Sequence, residues 1–191
     1  MAETARAEVE RRELPVTSYA ILGLLTFGER SGYDLVKLIE QSIGYFFTPA
    51  KSQIYAELRR LVSVGYATER QVAQERRPDK RLYAATDEGR RALRRWLEVR
   101  DVPPDEIKSP FMVKLFFGSH MSREAVLDQL EQTREQAREY LRELQTIERA
   151  IKDVPELFYP YLTLKCGLAY GRAQLRWVNQ AIREVEEREG T

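Results

Sequence analysis

Apolar residues along the first hundred positions come in three short bursts, each at helical spacing and each closed by a glycine. The first places Tyr19, Ile21, Leu22, Leu24 and Leu25 between Pro15 and Gly28 and predicts a helix with Thr17 as its N-cap. The second carries Leu35, Leu38 and Ile39 and stops at Gly44. It opens on Ser31 with Asp34 three residues on, a capping box in which Asp replaces the usual Glu or Gln. The third begins at the N-cap and first-turn pair Thr48-Pro49, puts Ile54, Leu58, Leu61 and Val62 on one face, and ends at Gly65. Its opposite face carries Lys51, Ser52, Gln53, Tyr55 and Arg59. The period then changes. Tyr66 to Gln74 and Arg81 to Ala85 read as two strands joined by the charged turn Glu75-Arg76-Arg77-Pro78-Asp79-Lys80. Thr86 caps a fourth helix, Asp87 to about Val99, with Leu93, Trp96 and Leu97 sharing a face.

Val102-Pro103-Pro104-Asp105 breaks the helical pattern, because consecutive prolines cannot continue a helix. Beyond it, Glu106 to Phe117 predicts a short helix, and Ser122 caps a long one with a seam of Val126, Leu130, Thr133, Ala137, Tyr140, Leu144, Ile147 and Ile151. A final helix after Pro160 repeats the device with Leu164, Leu168, Gly171, Leu175, Val178, Ile182 and Val185. Two such seams on two or three helices make a thin layer, and a second copy related by twofold symmetry closes it by the shortest route. Leu164, Leu168, Gly171, Leu175, Val178 and Ile182 are therefore the expected dimer contacts. Gly167, Ala169, Gly171 and Ala173 admit close helix approach, or else make room for bulky neighbours of the same chain.

The expected architecture is mainly α. A winged helix-turn-helix domain with a small β-hairpin wing spans residues 14–100, after a tail or solvated extension at 1–13. A linker at 101–104 leads to an antiparallel helical dimerisation domain at 105–191.

Composition fits a globular, helix-rich protein, with 43% hydrophobic and 32% charged residues. The net charge of +1 hides an asymmetry, since residues 48–95 hold 12 basic and 6 acidic side chains. This positive block falls on the third helix, the hairpin and the helix after it, where phosphate contact requires it; a solvated helix face is the competing reading. In the third helix, Gln53 can pair with adenine in bidentate fashion, Lys51 and Arg59 with guanine or phosphate, and Ser52 and Tyr55 offer hydroxyls. Tyr55 reads equally well as a half-buried aromatic holding that helix in place. Arg76, Arg77, Lys80 and Arg81 suit phosphate or narrow-minor-groove contact.

Other chemistries find little footing. His120 and Cys166 are the only histidine and cysteine and stand far apart, so neither a disulfide nor a soft-ligand metal site is expected. Residues 1–13 are charged throughout, and no apolar run reaches bilayer length, so the expectation is a cytoplasmic protein with no membrane partner. No catalytic triad order or Gly-rich phosphate loop is present, and neither enzyme nor cofactor is expected.

Several motifs recur together: Ile21-Leu22-Gly23-Leu24-Leu25; Ser31-Gly32-Tyr33-Asp34-Leu35; Gln53-Ile54-Tyr55 with Leu58, Leu61 and Gly65; Arg77-Pro78 with Tyr83; and Thr86-Asp87-Glu88-Gly89. In these residues the chain resembles the PadR family of winged-helix transcriptional regulators. Leu168-Ala169-Tyr170 and Trp177 look like its subgroup with a large C-terminal helical domain, so the resemblance spans about residues 14–187. The resemblance implies a homodimer that binds a palindromic DNA operator, pairs through its C-terminal helices and in several members responds to small aromatic or amphipathic compounds; repression is the expected mode, with activation left open. Trp96, Phe116, Tyr140, Tyr170 and Trp177 are the aromatics from which an effector pocket can be built, although each is also ordinary core material. The rival reading is a winged helix that binds a protein partner without specific DNA binding.

Overall fold

The nearly all-apolar helix α1 (Val16–Leu25) is the hub of the first unit, with Ile21, Leu22 and Leu25 fully buried. The computed structural model describes residues 14–73, 80–100 and 109–188 and divides the chain into two units, Met1–Pro103 and Pro104–Thr191. Helix α1 starts two residues earlier than the sequence predicts. Pro15 is its N-cap, which puts Thr17 inside the first turn and buries it together with Ser18.

The expected capping box forms: the Ser31 hydroxyl accepts from the Asp34 amide, and the Asp34 carboxylate accepts from the Ser31 amide, opening α2 (Gly32–Ser42). Helix α3 (Lys51–Ser63) departs from expectation at its start. The chain is still extended at Ala50, which is the N-cap without a side-chain bond, so Thr48 and Pro49 stay outside the helix. Its end is a Schellman turn: Gly65 takes a positive φ of 75°, while Tyr66 N–H donates to the Leu61 carbonyl and Gly65 N–H to that of Val62.

Strands β2 (Ala67–Val72) and β3 (Lys80–Ala85) form the antiparallel hairpin. A two-residue strand, β1 (Arg30–Ser31), adds to the other edge of β3, giving the order β1-β3-β2. Helix α4 (Asp87–Leu97) is capped by Thr86, whose hydroxyl accepts from Gly89 N–H and donates to the Gly65 carbonyl, tying the helix start to the end of α3. Leu93 is buried and Trp96 stacks on Tyr19, with ring centroids 4.6 Å apart. Leu97, expected on the same face, is exposed, because the last residue of α4 lies beyond the core it would cover.

In the second unit Ser109 caps α5 (Pro110–Phe116), shorter than the expected Glu106–Phe117; the expected linker and residues 105–108 lie outside the described residues. Ser122 caps α6 (Arg123–Ile151), which packs lengthwise and antiparallel on α7 (Phe158–Glu187). At one end of the pair the Arg123 guanidinium donates to the carbonyls of Val185 and Glu186, which have no partner inside α7. At the other, the Tyr161 hydroxyl donates to Glu148 at 3.4 Å.

The buried seam of α6 is Val126, Leu130, Thr133, Ala137, Leu141 and Leu144. Leu141 thus joins the seam, with the expected Tyr140 half-buried beside it. On α7, Leu164, Leu168, Gly171, Val178 and Ile182 are buried, with Leu175 partly so. The residues expected at the dimer are thus covered, wholly or in part, within the single chain. A Cβ on Gly171 would lie 2.8 Å from Leu141 Cδ2, so the glycine permits this intrachain crossing.

Candidate nucleic-acid interface

Helix α3 is held against the first unit by Ile54, Leu58 and Leu61, which leaves a row of exposed residues, Ser52, Ala56, Arg59 and Ser63, on the far side. A helix so mounted beside a hairpin presents its outer row to a DNA major groove, with the residues of its first turns nearest the base edges. Ser52 supplies a hydroxyl, Arg59 a guanidinium that suits guanine or phosphate, and Ala56 a methyl that matches the thymine methyl. Ala56 is missing from the residues singled out in the sequence, because alanine carries no polar signal; only its place between Ser52 and Arg59 marks it.

The remaining sequence candidates on α3 have partners in the fold. Lys51 flanks the outer row and lies 3.9 Å from Glu40 of α2, both largely exposed. The Gln53 amide nitrogen donates to the Thr17 hydroxyl at 3.0 Å. The Tyr55 ring lies across the start of α2, where a Cβ on Gly32 would come within 2.3 Å of it. Tyr55 is nonetheless 40% exposed, so one ring anchors α3 and keeps an edge in solvent.

On the hairpin, Arg76 and Arg77 lie outside the described residues. Lys80 and Arg81, expected at the tip, are strand residues held by carboxylates, Lys80 by Asp34 at 2.9 Å and Arg81 by Glu69 at 3.3 Å. Arg70 of β2 bonds Glu29 through two guanidinium nitrogens. These surface pairs contribute little individually. Together, Lys80–Asp34 and Arg70–Glu29 tie the two long strands of the wing to the body of the domain, and Arg81–Glu69 ties the strands to each other.

The Lys80 ammonium and the Ser31 hydroxyl hold the Asp34 carboxyl at about 2, below its ordinary 3.8, against the opposing effect of burial. A lowered folded-state value means that this latch stabilises the fold in full above roughly pH 4 and is lost as pH falls toward 2. A carbon-detected NMR titration should place the Asp34 midpoint near 2 in the wild type and move it up toward 3.8 in Lys80→Met. An unmoved midpoint would show that Lys80 is not the partner in solution.

Sequence reasoning also passed over Glu57, a carboxylate buried between α1 and α3 and bonded by the Ser18 hydroxyl. The available signal was its spacing, three residues after Ile54 and four before Leu61, which puts a charged residue on the apolar face.

The aromatic candidates are placed differently. Trp96 belongs to the first unit, stacked on Tyr19. In the second, Trp177 meets Phe111 edge to face at 6.2 Å, Tyr140 packs beside Gly171, and Phe116 and Tyr170 are exposed. Cys166 is exposed on α7. Among the described residues no helix is long and apolar enough to cross a membrane, and no group of three or more His, Cys, Asp or Glu side chains is arranged to hold a metal ion.

Three helices, a three-stranded antiparallel wing and an outward-facing third helix define a winged helix-turn-helix protein of the DNA-binding regulator class. Residues 21–95 match the transcriptional regulator PadR-like family and residues 107–186 match the family described as virulence activator alpha C-term. The chain belongs to the PadR-like family of transcriptional regulators. It is 31% identical to the negative transcriptional regulator PadR of Bacillus subtilis (strain 168), over 90% of this chain and 98% of that one. Its fold is similar to the crystal structure of that protein in complex with operator DNA, with a TM-score of 0.78, 32% identity, and coverage of 89% of this chain and 99% of the other. The p-coumaric acid complex of the same protein gives 0.71 at 30% identity, over 92% and 99% of the two chains. The Vibrio cholerae virulence activator AphA gives 0.67 at 28% identity, over 89% and 98%.

Proposed function

We propose that this protein is a repressor that binds a palindromic operator as a homodimer and reads it with the outer row of α3. The observation that carries this reading is that row itself: Ser52, Ala56 and Arg59 stand exposed on a helix whose other face is fully engaged in the core. The kinship with a negative regulator whose structure holds operator DNA supports it. Two copies related by a twofold axis would meet half-sites about 34–36 Å apart. Selection of bound duplexes from a random pool tests the proposal: it should enrich an inverted repeat with half-sites about one helical turn apart. Enrichment of no sequence would favour the protein-interaction reading.

The surface for the second copy lies on α7 opposite its intrachain seam. Tyr159, Leu162, Cys166, Ala169 and Ala173 are exposed there at steps of three and four residues, with Tyr170 exposed beside Ala169. An exposed apolar and small-residue stripe of this kind suits a symmetric helix contact. The relative that binds p-coumaric acid supports a small aromatic effector that releases DNA. If it acts so, p-coumarate should weaken operator affinity, and operator should weaken p-coumarate binding by the same factor. Independence of the two would refute an effector of this kind.

A further inference from the structure

Two polar contacts, one buried and one half-buried, join α1 to the recognition helix, and neither involves the outer row of α3. The Ser18 hydroxyl, with its residue wholly buried, donates to the Glu57 carboxylate, itself 5% exposed. One turn earlier on α3, the Gln53 amide donates to the hydroxyl of Thr17, the residue beside Ser18. Arg60 closes the Glu57 site from the solvent side, its Nε 3.3 Å from the same carboxylate oxygen.

The other buried side chains of the two helices are hydrophobic. Hydrophobic surfaces are non-directional, so Ile21, Leu22, Ile54, Leu58 and Leu61 favour contact without strongly preferring one rotation of α3. Hydrogen bonds are different: a small rotation or slide of α3 leaves the buried Ser18 hydroxyl without a partner and the buried Glu57 carboxylate with Arg60 alone, and that penalty singles out one arrangement. Gln53 and Glu57 sit one turn apart on α3, and Thr17 and Ser18 are consecutive on α1. Rotating α3 about its axis, or shifting it along α1, therefore breaks both contacts at once.

We infer that Ser18–Glu57 and Thr17–Gln53 form a register pin that sets which α3 side chains face the operator, making Thr17, Ser18 and Glu57 positioning residues for sequence discrimination. The inference rests on α3 being the reading helix and assigns Gln53 to alignment rather than to a base. Burial alone would make these groups a matter of stability; the pin makes them a matter of specificity. The two roles separate because replacing both partners of a buried polar pair by apolar groups is commonly neutral or stabilising.

The test compares binding of the selected operator and of a scrambled duplex by wild type, by Ser18→Ala/Glu57→Leu, and by Thr17→Val. None of the substituted residues touches the outer row. The pin predicts that the double variant melts at or above the wild-type temperature and keeps its scrambled-duplex affinity within about twofold, while its operator affinity falls about tenfold or more. The loss should spread over several base pairs of the half-site, since every side chain on α3 shifts together; loss of a direct base contact would relax one position only. Thr17→Val should move operator affinity in the same direction by a smaller factor, and it decides the matter alone if the double variant does not fold. Wild-type discrimination in variants that fold normally would overturn the pin. A wild type that binds both duplexes alike would overturn the reading role of α3, and the pin with it.

Discussion

Leu168→Asp is expected to unfold the C-terminal helix pair, whereas Tyr170→Glu, two residues further on, should leave it folded and abolish the dimer. Leu168 is 1% exposed and faces α6, so a carboxylate there loses its packing and gains no partner. Large-to-small core changes alone cost about 2–5 kcal/mol, and an unpaired buried charge adds to that. This exceeds what a marginally stable helix pair can absorb. Tyr170 is 67% exposed on the opposite face, and a glutamate there meets only water in a single chain. Thermal melts with light scattering separate the two: Leu168→Asp should lose its cooperative transition, and Tyr170→Glu should keep the transition at half the wild-type mass. A Tyr170→Glu variant that remains dimeric would move the proposed interface elsewhere on the chain.

The second large effect concerns DNA. Arg59→Ala should weaken operator binding by about 1–3 kcal/mol, roughly fivefold to 150-fold, and relax preference at one base pair if the guanidinium reads guanine. If it holds a phosphate instead, all duplexes should weaken alike and the salt slope should fall by about one. Lys51→Ala should do less, because Glu40 already faces that ammonium. Anisotropy titrations at several salt concentrations distinguish these cases. Full affinity in Arg59→Ala would remove α3 from the interface.

The helices were legible because caps and periodicity act locally. Ser31 with Asp34, Thr86 with Gly89 and Ser122 with Ala125 each form the cap that their spacing predicts. Strand β1 was not legible, since two residues cannot show an alternation and Arg30 and Ser31 become a strand only when β3 lies beside them. The seam of α7 was legible as a seam. Periodicity shows that Leu164, Leu168, Val178 and Ile182 need a cover, and it cannot say whether the same chain or another supplies it. The same limit applied to the charges. Lys80 and Arg81 look like free cations in one dimension, but Asp34 and Glu69, distant in sequence, stand against them in the sheet. Ser18 and Glu57 lie 39 positions apart, and only the packing of α1 on α3 brings them together.

The central claim is that α3 reads a DNA sequence, and the most direct measurement is the affinity of the wild-type protein for its selected operator and for a scrambled duplex across a range of salt. The operator should bind at least about a thousandfold more tightly at physiological salt, and log K on both duplexes should fall linearly with log salt by about 0.9 per phosphate contacted. Equal affinity for the two duplexes, or binding indifferent to salt, would contradict it.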